Sequence, residues 1–442
     1  MIIKKEKKMN KFSSKLGFIL TAVGSAVGMA NVWGFPYKFQ KGGIVFLIAY
    51  IFFVSIFAYC GLASEFAVGR YAHTGTLGAY HKAFQSRKED TIIGKFIGYI
   101  PLIGSLLIAI GYAVIVAYVL KALVDSLSGA LLTVDTTSYF DSFSLKPFSV
   151  VPYHFFIIAI TLLSCIGGAS TIEKSNKIMM PAFFVLFVIL AIRTLTLPNA
   201  FEGYKYMFRF DKEMINWGTI LQAMGQAFFS LSVTGSGMLV VGAYLSDDED
   251  IVSSSNMTGF LDTVAAMLAS FVMIPAIVVY NMDQAGGPGL LFQVLPTILQ
   301  DMAAGRIFAI ILYVAVVFGG ISSLQNMFEV VAESLMQRHP KLKRNVVLIL
   351  IGLVVFAIGV NMEMISQWGP FMDIISIYVI PIGAMIGAVT WFWILTKDKL
   401  LGAINLGSKK VYGDTWYKIG KFLYVPLAVI LCLIAVIFRI SF

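Results

Sequence analysis

Apolar residues along this chain come in runs of about 20 residues, separated by short polar and basic stretches. A helix of that length crosses the hydrocarbon core of a bilayer. The pattern predicts an all-α integral membrane protein with eleven spans, over 16–39, 43–69, 93–123, 151–168, 176–194, 217–245, 257–280, 306–336, 346–361, 369–395 and 419–440.

The first run is not uniform. From Gly24 to Pro36 it is interrupted by small residues, one asparagine and a proline. A helix opened there leaves carbonyls and N–H groups unpaired inside the membrane, which is tolerated only where the backbone packs in protein or lines a polar cavity. The break points to a site for ions or a charged solute; a kinked but idle helix is the plain alternative. A second interruption, Gly225 to Gly237, falls in the middle of the sixth run. Either one alone is open to the reading that small residues merely let helices pack closely. Their matching positions, five spans apart, favour two five-helix repeats, inverted relative to one another because five is odd. Residues 16–194 then form the first repeat, 217–395 the second, 419–442 an eleventh helix, and 1–15 a cytoplasmic N-terminal segment. At such a site half-helix N-termini favour a carboxylate, and freed carbonyls favour Na⁺ or an ammonium group.

Charge adds the orientation. About 23 of the 33 lysines and arginines fall on one side of the predicted spans, in clusters at Lys4, Lys5, Lys7, Lys8, at Arg87, Lys88, at Arg338, Lys341, Lys343, Arg344, and at Lys397, Lys399, Lys409, Lys410. The positive-inside rule puts that side, and the N-terminus, in the cytoplasm. The net charge of +9 is thereby accounted for, and no nucleic-acid partner is implied. The basic start is followed by no small-residue cleavage site, so it reads as retained. The acidic stretch Asp247 to Asp250 also falls inside and reads as a solvated turn.

Composition agrees with embedding: 58% hydrophobic, 13% charged, mean hydropathy +0.84. Cys60, Cys165 and Cys432 sit in apolar runs with no ligand spacing around them, and His73, His81, His154 and His339 fall in or near loops, so neither a disulfide framework nor a zinc site is indicated. With no nucleophile elbow, phosphate-binding glycine loop or HExxH stretch, and no soluble domain, nothing points to an enzyme, an organic cofactor or an ATP-driven pump.

A set of spaced matches resembles the neurotransmitter:sodium symporter family, in its eleven-helix bacterial amino-acid branch with the LeuT-type fold. The matches are Leu16-Gly17, the Gly24 to Pro36 break, Gly42-Gly43 with Phe46 and Tyr50, Gly69-Arg70-Tyr71, and Glu173 to Pro181. They continue with Gln226 to Ser232, Tyr244-Leu245-Ser246, Leu261-Asp262-Thr263, Gly287-Pro288-Gly289 and Ser322-Ser323. The likeness covers nearly the whole chain.

The resemblance implies two sodium sites. The first carries over to Ala26, Asn31, Ser230, the substrate carboxylate and Asp262; the second to Gly24, Val27 and Gly319 with the hydroxyls of Ser322 and Ser323. It implies a substrate carboxylate on the N–H groups near Met29 and Ala30 and on the Tyr112 hydroxyl, and an ammonium on the carbonyls of Ala26, Phe229 and Ser230. Ile108, Tyr112, Phe229, Ser232, Gly235, Ser323 and Met327 then wall the side-chain pocket. Monoamine-carrying relatives place an aspartate where this chain has Gly28, so glycine favours a solute that brings its own carboxylate. Tyr112 taken alone reads as an ordinary packing residue.

Asp262 is an ionisable group inside an apolar run, costly at roughly 2.5–3.5 kcal/mol on insertion scales and a functional hypothesis by default. A helix-end acid touching cytosolic water is the alternative. Chloride-independent relatives supply a carboxylate beside the first sodium, a role the resemblance gives to Asp262 with Tyr50, Gln226 and Ser230 around it and Ala266 at an empty fourth position. Glu65 is the next candidate.

The chain also departs from the family pattern. Gly34 stands where an arginine pairs with a span-ten acid, here near Asp373, to form the outer gate; Met9 and Gln337 stand where the inner gate has arginine and aspartate. These losses suggest gating by packing or by substitute polar contacts; a non-transporting relative is the alternative. Ala30 replaces a glycine beside the carboxylate, and Gly235 replaces a bulky pocket residue, which predicts an enlarged pocket. The reading is a chloride-independent symporter of the cell inner (plasma) membrane, multi-pass, importing a zwitterionic hydrophobic or aromatic amino acid with sodium by alternating access. A carrier of another small organic solute, or a substrate-gated channel or sensor, is the alternative. Oligomeric state is open.

Overall fold

The computed structural model describes residues 11–87, 92–280 and 287–441, excepting the side chain of Thr137. Lys4, Lys5, Lys7, Lys8, Met9 and Lys88 lie outside them. The described residues form helices joined by turns, with no strand among them. Eight helical segments are long and apolar enough to cross a membrane. Of the eleven predicted spans, the first, fourth and sixth are not among them: the first and sixth are broken, and the fourth, Val151–Cys165, has 15 residues. Large apolar side chains such as Phe52, Phe155, Leu163, Ile349, Leu353 and Ile437 face outward, where a lipid-embedded surface needs them.

The helices that build the centre are, in chain order, α1 (Lys15–Ala26), α2 (Phe35–Ile56), α3 (Tyr99–Ser128), α4 (Trp217–Ser230), α5 (Gly237–Ala243), α6 (Ile251–Val279), α7 (Gly305–Arg338) and α8 (Ile380–Val389). The long α7 packs most extensively on α3, and α4 lies along α2. The short α1 is central, touching α5, α6, α7 and the helix Ala169–Leu195. Ser14 starts α1 by accepting the Gly17 N–H at 3.1 Å, an N-cap that satisfies one of the first-turn donors.

Gly43 divides α2. Its φ of 53° is left-handed, and a Cβ there would run into the Arg209 carbonyl, so glycine is what lets the chain reverse between the first and second predicted spans. Beyond the turn, Phe46 and Tyr50 stack at 6.1 Å while Phe35 meets the Tyr50 ring edge-on at 4.7 Å. This aromatic packing holds the Tyr50 hydroxyl over α6.

Candidate functional site

Both predicted interruptions are real breaks. α1 ends at Ala26; Val27 is extended, with ψ 116°, and the helix resumes at Met29 and Ala30. α4 ends at Ser230, and the six residues to Ser236 include two left-handed ones, Ser232 at φ 52° and Gly235 at φ 78°. A non-glycine residue in that region is costly and persists only where its surroundings hold it, as happens at functional sites. Here the Ser232 hydroxyl donates to the Ser25 carbonyl at 2.9 Å, stitching one break to the other.

The groups freed at the breaks find specific partners. Ser322 Oγ donates to the carbonyls of Gly24 and Gly319, both at 2.9 Å, and Ser323 Oγ lies 3.3 Å from the Gly24 carbonyl and 3.2 Å from that of Val27. Five uncharged oxygens, all five of the residues expected around a second cation, thus converge on the interior of the protein. Such a set suits a hard cation and offers nothing to a soft one.

A second cluster lies beside the first. Asp262 is fully buried in α6, which removes the reading of an acid at a wet helix end. Tyr50 OH donates to its Oδ2 at 3.0 Å, Ser230 Oγ lies within 2.9 Å of both carboxylate oxygens, and Asn31 Nδ2 donates to Oδ1 at 2.8 Å. Asn31 Oδ1 in turn accepts the Gly28 N–H at 2.9 Å, capping the break. Among the described residues no lysine, arginine or histidine lies within salt-bridge distance of Asp262, so its charge is met by three donors and no cation. A sodium bound here would balance it, with the Asn31 amide turned to present oxygen instead of nitrogen. Gln226, expected beside Asp262, instead donates to the Ala30 carbonyl at 3.0 Å and accepts from Lys38 at 2.9 Å.

Between the breaks lies a cavity lined by Ala26, Met29, Ala30, Ile108, Tyr112, Phe229, Ser232, Ser323 and Met327 among the predicted residues, and also by Ser25, Gly28, Ser105, Thr234, Asn326 and Ile380. Tyr112 OH accepts the Met29 N–H at 3.0 Å, so the expected carboxylate donors are at present engaged with each other. Two predicted residues are not in the lining: Ser230, whose hydroxyl is on Asp262, and Gly235. A Cβ on Gly235 would stand 2.5 Å from the Gly383 carbonyl and 2.7 Å from Tyr80 OH. The expected enlargement of the pocket is corrected accordingly: the glycine is there for close backbone packing.

Gly28 is constrained from the cavity side. A Cβ there would overlap the Tyr112 hydroxyl and come within 2.9 Å of Ser323 Oγ. Because both neighbours are side-chain ends that can swing away, Gly28→Ala is expected to fold yet to lose at least about tenfold in substrate affinity, the worth of one hydrogen bond to a charged group. Binding of radiolabelled substrate to the purified variant measures this. Unchanged affinity would mean that the Tyr112 hydroxyl plays no part.

Other polar contacts stand near the positions of the expected gate pairs. Lys38, one turn beyond Gly34, reaches the Gln226 amide, while Asp373 is exposed. On the inner side Asp247 and Asp248 form the expected exposed turn, but Glu249 and Asp250 are buried: Lys11 pairs with Asp247 at 3.0 Å, Lys15 with Glu249 at 3.2 Å, and the Arg70 guanidinium donates to the carbonyls of Ser246, Glu249, Ala403 and Leu406. Gln337 lies against Gly78 and contributes no ion pair. His154, in the first turn of Val151–Cys165 and so near a loop as expected, is fully buried with Nδ1 3.2 Å from Glu363 Oε1.

A model of the sodium:neurotransmitter symporter family matches residues 9–143 and 148–441. The chain is similar to the sodium-dependent transporter YhdH of Bacillus subtilis (strain 168), at 30% identity over 457 residues, covering 99% of this chain and all of that protein. At 22% identity it is also similar to the sodium-dependent serotonin transporter of Drosophila melanogaster, covering 91% of this chain and 73% of the relative. Among solved structures it is similar to MhsT in complex with L-phenylalanine, with TM-score 0.85 and 28% identity, over 97% of this chain and 100% of the other. The chain is a multi-pass membrane protein that belongs to the sodium:neurotransmitter symporter family.

Proposed function

We propose that this protein imports a zwitterionic, hydrophobic or aromatic amino acid across the plasma membrane, driven by inward sodium flow through alternating access. The observation that carries the reading is the meeting of two broken helices around two oxygen clusters and one cavity. Sodium and amino acid are the transported solutes, and the chain's residues act by holding and releasing them.

In this reading one sodium is held by Gly24, Val27, Gly319, Ser322 and Ser323, and the other by Ala26, Asn31, Ser230 and Asp262 with the substrate carboxylate. The first draws α1 and α7 together, since its oxygens come from both. The second joins α1, α4 and α6 to the substrate itself, which makes substrate binding depend on sodium. The Met29 N–H and Tyr112 hydroxyl, now paired with each other, open to receive the carboxylate. The ammonium meets the carbonyls of Ala26, Phe229 and Ser230, while Ile108, Phe229 and Met327 take the apolar part of the side chain. Eleven spans in two inverted five-helix repeats supply the two orientations, and Asp262 makes chloride unnecessary.

Uptake into proteoliposomes is expected to fall to background when external Na⁺ is replaced by K⁺ or choline, and preloaded substrate should accelerate uptake by counterflow. MhsT, of the same fold, is described in complex with L-phenylalanine, which makes phenylalanine a first labelled solute to try. Undiminished uptake in K⁺ would overturn the reading, and sodium-dependent flux without counterflow would identify a channel.

A further inference from the structure

The cavity is not apolar on all sides. Asn326, Ser25, Ser105, Ser232 and Thr234 form one polar wall of it, facing an apolar one that includes Ile108, Phe229, Met327 and Ile380. Most of these polar groups already have partners. Ser105 Oγ and Thr234 Oγ1 share Ser236 Oγ at 2.8 and 3.2 Å, and Ser232 Oγ is committed to the Ser25 carbonyl.

Asn326 is different. It is 7% exposed, so it is more than nine-tenths buried, and its Nδ2 donates to Ser25 Oγ at 2.5 Å. Its Oδ1 accepts no hydrogen bond from any described residue. The oxygen itself keeps accessible surface where Asn326 lines the cavity, and a solute that covers it without donating leaves it unpaired at about 1–3 kcal/mol. With Nδ2 on Ser25 Oγ, Oδ1 is the amide end open to a donor from the cavity.

The position along α7 fits a side-chain contact. Asn326 follows Ser323 by three residues, so both lie on one helix face, separated by roughly 4.5 Å of axial rise. Ser323 belongs to the sodium-side cluster and touches the end of the cavity where the amino acid's charged groups are placed. Asn326 therefore stands level with the substrate's side chain and not with its backbone.

We propose that Asn326 Oδ1 is a specificity-determining acceptor that selects an amino acid whose side chain carries a hydrogen-bond donor, a hydroxyl, amide or indole N–H, on an otherwise apolar body. This rests on the amino-acid reading of the site. The apolar wall takes the body of the side chain, and the acceptor rejects isosteres that lack the donor, because such a solute buries Oδ1 unpaired. Sites built to bond a substrate O–H or N–H discriminate strongly against analogues without it.

The test is competition for sodium-dependent binding or uptake within matched pairs: tyrosine against phenylalanine, threonine against valine, serine against alanine, tryptophan against 1-methyltryptophan. In the wild-type protein the donor-bearing member of at least one pair is expected to compete at least about tenfold better, and in Asn326→Leu that ratio is expected to fall below about threefold. Should the leucine variant not fold, Asn326→Ala, which adds no bulk, is read in the same way. Equal competition within every pair, or a preference that survives removal of the amide, overturns the proposal. Failure of every amino acid to compete in the presence of Na⁺ is a separate result and overturns the amino-acid reading itself.

Discussion

Asp262→Asn is expected to raise the sodium concentration needed for half-maximal substrate binding by roughly 100-fold, while the protein still folds. The carboxylate is fully buried and held by the Tyr50 hydroxyl, Ser230 Oγ and Asn31 Nδ2. None of these donors carries a charge. A sodium about 4 Å away interacts with that carboxylate by about 4 kcal/mol at an effective dielectric of 20, an upper guide for what neutralisation removes. A loss of about 2.7 kcal/mol, some two thirds of it, is the 100-fold expected. Asparagine keeps the shape and can still accept from Tyr50, so the effect falls on the cation and not on packing. Wild-type transport should be unchanged when chloride is replaced by gluconate. Asp262→Ser, which leaves room for an anion, should recover activity as chloride is added. Wild-type uptake that stops in gluconate, or an Asp262→Ser variant with unaltered sodium dependence in chloride-free buffer, would move the charge elsewhere, with Glu65 next.

What the sequence made legible was mostly what announces itself locally. Glycine, asparagine and proline inside an apolar run mark a break whatever lies around it, and the breaks at Gly24–Pro36 and Gly225–Gly237 are where the pattern put them. The residues carried over by resemblance at Gly24, Val27, Gly319, Ser322 and Ser323 come together because a broken helix needs hydroxyls opposite its free carbonyls. Three spans fell short of membrane-crossing length for the complementary reason: two are broken, and the fourth is brief.

The misses depend on partners distant in the chain. Asp247 and Asp248 are the exposed turn the pattern gives, but the burial of Glu249 and Asp250 had no local signal, because Lys15 and Arg70, which meet Glu249, are more than 170 positions away. Lys38 gave no signal, although it stands one helical turn beyond the missing arginine and could have been noticed on that spacing. Asn326 sat beside Met327, a residue the pattern did select, but nothing local says that an asparagine in an apolar run keeps one oxygen unpaired.

Gly235→Phe is expected to destabilise the protein rather than resize its pocket. The residue sits at φ 78°, a conformation that costs a side-chain-bearing residue roughly 1–2 kcal/mol. Its Cβ would stand 2.5 Å from the Gly383 carbonyl, a backbone atom that cannot swing aside, and 2.7 Å from Tyr80 OH. Tyr80 donates to the Gly235 carbonyl at 3.0 Å, and Glu65 Oε1 accepts the Gly235 N–H at 2.7 Å, so the backbone here is fixed on both sides. Gly387 faces the same spot, a Cβ on it falling 2.8 Å from Gly235 Cα, and together the three glycines let the second break approach α8 closely. Adding bulk to such a contact costs a further 1–3 kcal/mol or so, giving a total of roughly 2–5 kcal/mol. Gly235→Ala should already lower the thermal unfolding midpoint in detergent, and Gly235→Phe should lower it further or prevent recovery of folded protein. A phenylalanine variant that unfolds at the wild-type temperature and shifts competition toward smaller amino acids would return Gly235 to the pocket wall.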